Sequence, residues 1–184
     1  MNAPVRFGFE GSEVIDMGKF NIYTRTSASH TLPQNITGMY IIEHIHDGKT
    51  DTYPPPTRST LEHQDKASPW VMTAVLITRA VNVILCMKPQ NIESITVYMD
   101  EISRRPFECN WPQKWEHDNY ISTSGQAVPK ENTDAWKRYN EYIHKLDGIK
   151  IEFAVTNGIH SYSKFMEYEI RKEHEKYKGA IVKK

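Results

Sequence analysis

Apolar and polar positions alternate along "KFNIYTR", residues 19–25, and this period of two predicts the first core strand. Strand-like alternation also runs through "VRFGFEG" and "EVIDMG", which makes residues 1–18 an N-terminal extension with strand character. After a loop containing "LPQN", the stretch "GMYIIEHIHDGKTDTYPP" reads as two strands joined at Asp47, Gly48 and Lys49, since Asp-Gly supplies the positive φ of a tight hairpin. Pro54, Pro55 and Pro56 donate no ladder hydrogen bonds, so they end the third strand and leave a loop to about Ala67.

The period then changes. "SPWVMTAVLITRAVNVILCM" opens with Ser68 as N-cap and Pro69 at the first helical position, and predicts a long, mostly buried helix that ends before Pro89. "ESITVYMD" alternates as a strand ending on Asp100, and the Trp- and Pro-rich "FECNWPQKWEHDNY" predicts one or two short helices. "NTDAWKRYNEYIHKL" predicts a helix capped by Asn132 or Thr133, with Trp136, Tyr139 or Asn140, and Ile143 on one stripe, closing at Asp147-Gly148. "IKIEFAV" is a strand, and "YSKFMEYEIRKEHEKYKG" is a charged last helix that stops at Gly179 and leaves 180–184 as a basic tail. The order β β β, α, β, short α, α, β, α implies right-handed crossovers, a leading antiparallel portion and a mixed sheet flanked by helices.

Composition narrows the function classes. At 184 residues the chain fits one domain that can bury a core without disulfide or metal staples. Lys plus Arg and Asp plus Glu both total 23, so no electrostatic footprint of a dedicated nucleic-acid binder is present and any such contact is local. Cys86 and Cys109 have no metal-ligand spacing, and a reduced cytoplasmic protein is the simplest expectation. The start lacks a basic stretch followed by an apolar core, and the apolar segment 69–87 is interrupted by Thr73, Thr78, Arg79 and Asn82, so neither secretion nor a membrane span is expected.

The element order and several strings together resemble the ribonuclease H family over about 19–179. "FNIYTRTS" resembles its first strand, which usually ends in a Thr-Asp-Gly-Ser type run bearing the first catalytic aspartate. "GMYIIEHIHDGKTDTY" resembles the hairpin that follows, and "SPWVMTAVLITRAV" the first helix, which carries a glutamate. "ITVYMDEISR" resembles the fourth strand with the third acid, "NTDAWKRYNEYI" a later helix, and "KIEFAVTNGIHS" the fifth strand leading to a histidine loop. The resemblance implies a five-stranded mixed sheet of order 3-2-1-4-5, with strands 1 to 3 antiparallel and 4 and 5 parallel to strand 1. It also implies four carboxylates holding two divalent ions that hydrolyse a phosphodiester.

Carried over by position, those carboxylates fall on Arg25, on Val71 or its neighbour Trp70, on Asp100, and on Glu169 or Ile170. Only Asp100 keeps the acid cleanly. Guanidinium does not lose its proton in proteins, so Arg25 sets a fixed positive charge where the metals would sit. An ion pair of Arg25 with Asp100 is expected; at roughly 4 Å and an effective dielectric of about 20 its Coulomb attraction is about 4 kcal/mol before desolvation. His160 falls where the family has a mobile loop that assists product release, but with eight histidines scattered along the chain a surface position is expected. Trp111, Lys114 and Trp115 occupy the place of a basic protrusion that grips hybrid duplex in some members. Here it is more aromatic than basic, with Glu116 and Asp118 offsetting Lys114, so core packing or a protein interface is expected. Glu62, His63 and Asp65 match no metal signature and are expected in a solvated loop.

The expectation is therefore a non-catalytic ribonuclease H-like domain without cofactor, binding or scaffolding in a protein or nucleoprotein assembly. Neutral charge favours a protein partner over nucleic acid. The alternative is an active nuclease using magnesium or manganese on RNA–DNA hybrids, with Asp100, Glu169 and acids such as Asp16, Glu62 or Glu101.

Overall fold

Strand β1, Gly18–Thr26, is the axis of a six-stranded sheet: it pairs antiparallel with β2, Asn35–His46, on one side and parallel with β5, Ile92–Met99, on the other. The structure is a computed structural model that describes residues 18–27, 35–53, 60–65, 67–89, 91–121, 130–156 and 160–181. β3, Lys49–Tyr53, lies antiparallel to β2, and β6, Lys150–Val155, lies parallel to β5, so the path is β3-β2-β1-β5-β6. This is the order 3-2-1-4-5 that the family resemblance implies, with β5 and β6 as its fourth and fifth strands. The hairpin turns at Asp47 and Gly48, with φ of 47° and 70°. The strand-like runs within residues 1–17, Asp16 among them, and Pro54 to Pro56 lie outside the described residues.

One further strand replaces an expected loop. β4, Thr60–Asp65, pairs antiparallel with Asn35–Tyr40 of β2, beside β3 on Ile42–His46. β2 is longer than its hairpin partner, and its remaining outward N–H and C=O groups need partners of their own. "TLEHQD" supplies them with Thr60 as its one β-branched residue, too little to announce a strand. Glu62 is thus a strand residue, and its Oε1 lies 3.2 Å from Arg79 Nε of the first helix.

Period-two alternation splits the sheet into two faces. Phe20 and Ile22 share one face with Ile42, Ile95 and Val97, and all five join the main core with α1, Pro69–Cys86. α1 begins as expected, with Ser68 Oγ accepting from the Val71 N–H at 3.3 Å and Pro69 in its first turn. It is long and apolar enough to cross a bilayer, but nine of its residues are buried and it packs on β1, β2 and α4. It comes closest over Gly38, where a β-carbon would lie 2.7 Å from Met72 Cγ and 2.8 Å from Leu76 Cδ1. The opposite face carries a smaller cluster, in which Met39 and Ile41 meet Met166 and Ile170 of α5, Ser163–Ile181.

The remaining helices close the core edge. α2, Glu101–Glu108, follows β5 at once, and α3, Trp111–His117, follows a left-handed Asn110. Pro106 within α2 has no N–H for the Ile102 carbonyl, and Trp70 Nε1 of α1 donates to that oxygen instead, at 2.7 Å. α4, Lys130–His144, begins before the expected caps, so Asn132 and Thr133 lie inside the helix; it buries Trp136, Tyr139 and Asn140 and closes by Gly148, φ 81°. α5 runs past the expected stop at Gly179 to Ile181. Cys86 and Cys109 are free and exposed.

Gly38→Ala is expected to cost about 1–3 kcal/mol by overpacking Met72 and Leu76. Urea denaturation measures it, and an unchanged midpoint would show that α1 does not sit this close to β2.

Candidate functional site

The polar centre of the molecule lies on the α5 side of the sheet. β1 turns Asn21, Tyr23 and Arg25 to that face because Phe20, Ile22, Thr24 and Thr26 take the other. Opposite them in the β1–β2 register stand Glu43, Ile41 and Met39, and opposite Tyr23 on β5 stands Tyr98. Tyr162 and His160 arrive from the segment leading into α5.

Glu43 is the hub of this face. Its Oε2 accepts from Asn21 Nδ2 at 3.0 Å and from the Tyr23 hydroxyl at 2.9 Å, and its Oε1 accepts from the Tyr162 hydroxyl at 2.8 Å. Three donors on one half-buried carboxylate fix it as an acceptor. Tyr23 stacks on Tyr98 at 4.8 Å and on the His160 ring at 4.8 Å. Burial first, then the hydrogen bond to Glu43, pushes the Tyr23 hydroxyl well above its ordinary range. His160 is not the surface histidine expected from the sequence: it is half-buried on Tyr23, and its Nδ1 accepts from the Tyr162 N–H at 3.2 Å. Burial and the nearby Arg25 charge lower its pKa and favour the neutral ring.

The expected ion pair between Arg25 and Asp100 does not form. Arg25 Nη2 lies 3.6 Å from Glu167 Oε2 of α5, with side-chain exposures of 23% and 64%. An acid this exposed is screened by water and stabilises little. Asp100 is the residue between β5 and α2, where the chain leaves the strand, and its Oδ2 accepts the Thr26 N–H at 3.4 Å. Thr26 lies past the last β1–β5 partner, Tyr23 with Tyr98, so the carboxylate serves a backbone group that the ladder leaves over. Burial raises the Asp100 pKa, while the Thr26 N–H and the Arg25 charge oppose the rise without cancelling it.

The other carried-over positions do not converge there. Val71 is buried in the main core at 4% exposure, and its neighbour Trp70 holds the Ile102 carbonyl. Ile170 belongs to the apolar cluster under α5, and Glu169 has no ion pair or hydrogen bond with a described residue. Glu101 pairs with Arg104 at 3.4 Å and Glu62 with Arg79, so neither is turned to Asp100. Among the described residues, the one group of three potential ligand side chains is His44, His46 and Asp51, roughly 17 Å or more away along β1 by strand rise. Of the aromatic protrusion, Trp115 packs against the core and meets buried Trp136 at 5.1 Å. Trp111 meets Trp70 edge-on at 5.5 Å beneath the Arg105 guanidinium, and Lys114 is exposed.

Sequence reasoning missed Glu43, Glu167 and the tyrosines. A period-two reading does put Glu43 on the α5 face with Ile41, so a lone acid facing that apolar cluster was a usable signal. Glu167 had none, since several acids of α5 lie within a turn of each other.

No protein-family model matches the chain, and no curated protein matches it in sequence. Among solved structures it is similar to LC9-RNase H1, a type 1 RNase H with the type 2 active-site motif, with TM-score 0.59 and 14% identity over 85% of this chain and 72% of that one. The native prototype foamy virus protease-reverse transcriptase gives TM-score 0.57 and 10% identity over 91% of this chain but 21% of that one. The foamy viral protease-reverse transcriptase in complex with RNA/DNA hybrid gives TM-score 0.52 and 10% identity, over 84% and 20%. The chain thus spans about a fifth of the length of those reverse transcriptases. Its fold is ribonuclease H-like.

Glu43→Gln is expected to cost about 1–3 kcal/mol in urea denaturation, since the amide nitrogen would face a donor where an oxygen now accepts. Asp100→Asn is expected to do the opposite. The folded chain binds the Asp100 proton more tightly than the unfolded chain, so the carboxyl lowers stability as pH rises from its ordinary 3.8 through its raised folded value. The variant should be the more stable protein at pH 7, with the difference closing below about pH 4, in thermal melts across that range. A wild type that is the more stable of the two at pH 7 would contradict the burial assigned to Asp100.

Proposed function

We propose that this domain is a non-catalytic ribonuclease H-like module that works by binding, as a scaffold within a protein or nucleoprotein assembly in the cytoplasm. The observation that carries this reading is Arg25. It occupies the β1 position where the family resemblance places the first metal-binding aspartate, and an acid of α5 faces it. Two hard divalent ions need several anionic oxygens around them. Among the described residues the acids near Arg25 are the exposed Glu167 and Asp100, which is already engaged by the Thr26 N–H, and the position of the second acid is apolar core at Val71.

A protein partner fits the neutral charge and the surface around α2 and α3, where Ile102 is 59% exposed beside half-buried Trp70 and Trp111. Aromatic and arginine side chains of this kind favour protein contacts. A nucleic-acid partner is the second reading, favoured by the similar foamy viral protease-reverse transcriptase, which was solved with an RNA/DNA hybrid.

The test is incubation with end-labelled RNA–DNA hybrid in magnesium or manganese. No cleavage above background is expected from the wild type. Metal-dependent cleavage that Asp100→Asn abolishes would overturn the proposal.

A further inference from the structure

At the far end of the sheet from Arg25, the hairpin brings two histidines and an aspartate together. The spacing His44-x-His46 puts both rings on one face of β2, and Asp51 of β3 stands directly across from His44. His46 Nε2 lies 2.8 Å from Asp51 Oδ2. One ring nitrogen of each histidine and one Asp51 oxygen all fall within 4.8 Å of one another. His44 is 1% exposed, yet its Nε2 is buried without a hydrogen-bond partner. Its ring is sandwiched between Phe20 at 4.4 Å and His46 at 4.3 Å, and a β-carbon at residue 18 would strike its Nε2, so only glycine leaves room there.

A buried imidazole nitrogen without a partner is costly, and in His44 that nitrogen is the Nε2 beside Gly18. A neutral imidazole carries a lone pair that can bind a metal. Two imidazoles and a carboxylate form a donor set that suits a borderline divalent ion of the zinc class, with water in the fourth position, and it suits magnesium poorly.

We propose that His44, His46 and Asp51 form a binding site for a transition-metal ion of the zinc class that clips β2 to β3. The site is separate from the carboxylate positions of the family resemblance, and it does not rest on the function proposed above. Ligands of a tetrahedral zinc stand roughly 3.4 Å apart, so the group closes by about an ångström and a half at most. The stacked rings do not aim at one point as they stand. His46, next to the turn with its side chain 21% exposed, is the ring free to rotate about χ2, giving up its hydrogen bond with Asp51 to share the ion.

The test uses the full chain without an affinity tag, stripped with chelator and titrated calorimetrically with zinc, cobalt and magnesium. One equivalent of zinc or cobalt is expected, cobalt showing the visible d–d band of a four-coordinate site, with a raised thermal midpoint and no magnesium uptake. His46→Ala and Asp51→Asn should each weaken binding at least roughly tenfold. His117→Ala, which removes an exposed histidine 2.8 Å from Asp118, should leave binding unchanged. Absence of uptake by the wild type would overturn the proposal, as would uptake that both hairpin variants retain. Circular dichroism of each variant separates lost binding from lost folding.

Discussion

The structure depends on the alternation of β1, paired on both sides at the centre of the sheet. Because successive side chains point to opposite faces, nine residues divide the molecule. Phe20 and Ile22 anchor the core under α1. Asn21, Tyr23 and Arg25 make the opposite face polar, and α5 covers it with Met166 and Ile170 beside a charged edge. A register slip of one residue would bury Arg25 under α1 and turn Phe20 away from it, so the hydrophobic demand of the main core fixes where the arginine stands.

The charges follow from that placement. Arg25 faces Glu167 across a partly open edge, and its field reaches both Asp100 and His160 without a direct bond to either. Asp100 is left to satisfy the Thr26 N–H. Glu43, deeper along the same face, is held by three donors, and the stacked rings of Tyr23, Tyr98 and His160 lie beside it. Hydrogen bonds join Asn21, Tyr23 and Tyr162 through Glu43, while Asp100 is engaged by a backbone N–H.

The elements with strong periods were legible in the sequence: β1, the Asp-Gly hairpin, the Ser68-Pro69 helix start, β5 and β6; the strand order came from the family resemblance. β4 was not, because Thr60 alone among its residues favours a strand and the segment pairs where β2 offers an unpaired edge. Within the site, Arg25 and Asp100 were legible as neighbours by strand position. Their partners were not, because Asp100 turns to a backbone group as the chain enters α2 and Arg25 looks to a helix far along the chain. Glu169 and Glu167 differ by two residues, enough on a helix to set them on opposite flanks of the Met166 and Ile170 stripe, and only Glu167 meets Arg25. His160 reads as one surface histidine among eight, and its stacking on Tyr23 is a tertiary contact with no local pattern.

The proposal that this ribonuclease H-like sheet lacks the family's two-metal centre bears most directly on one carboxyl group. Titrating the Asp100 side-chain carbon by NMR, with and without millimolar magnesium, reads its surroundings. The account predicts a pKa above the ordinary 3.8 that magnesium leaves in place. A pKa driven down by magnesium, with the Asp100 resonance shifting as the ion is added, would contradict it.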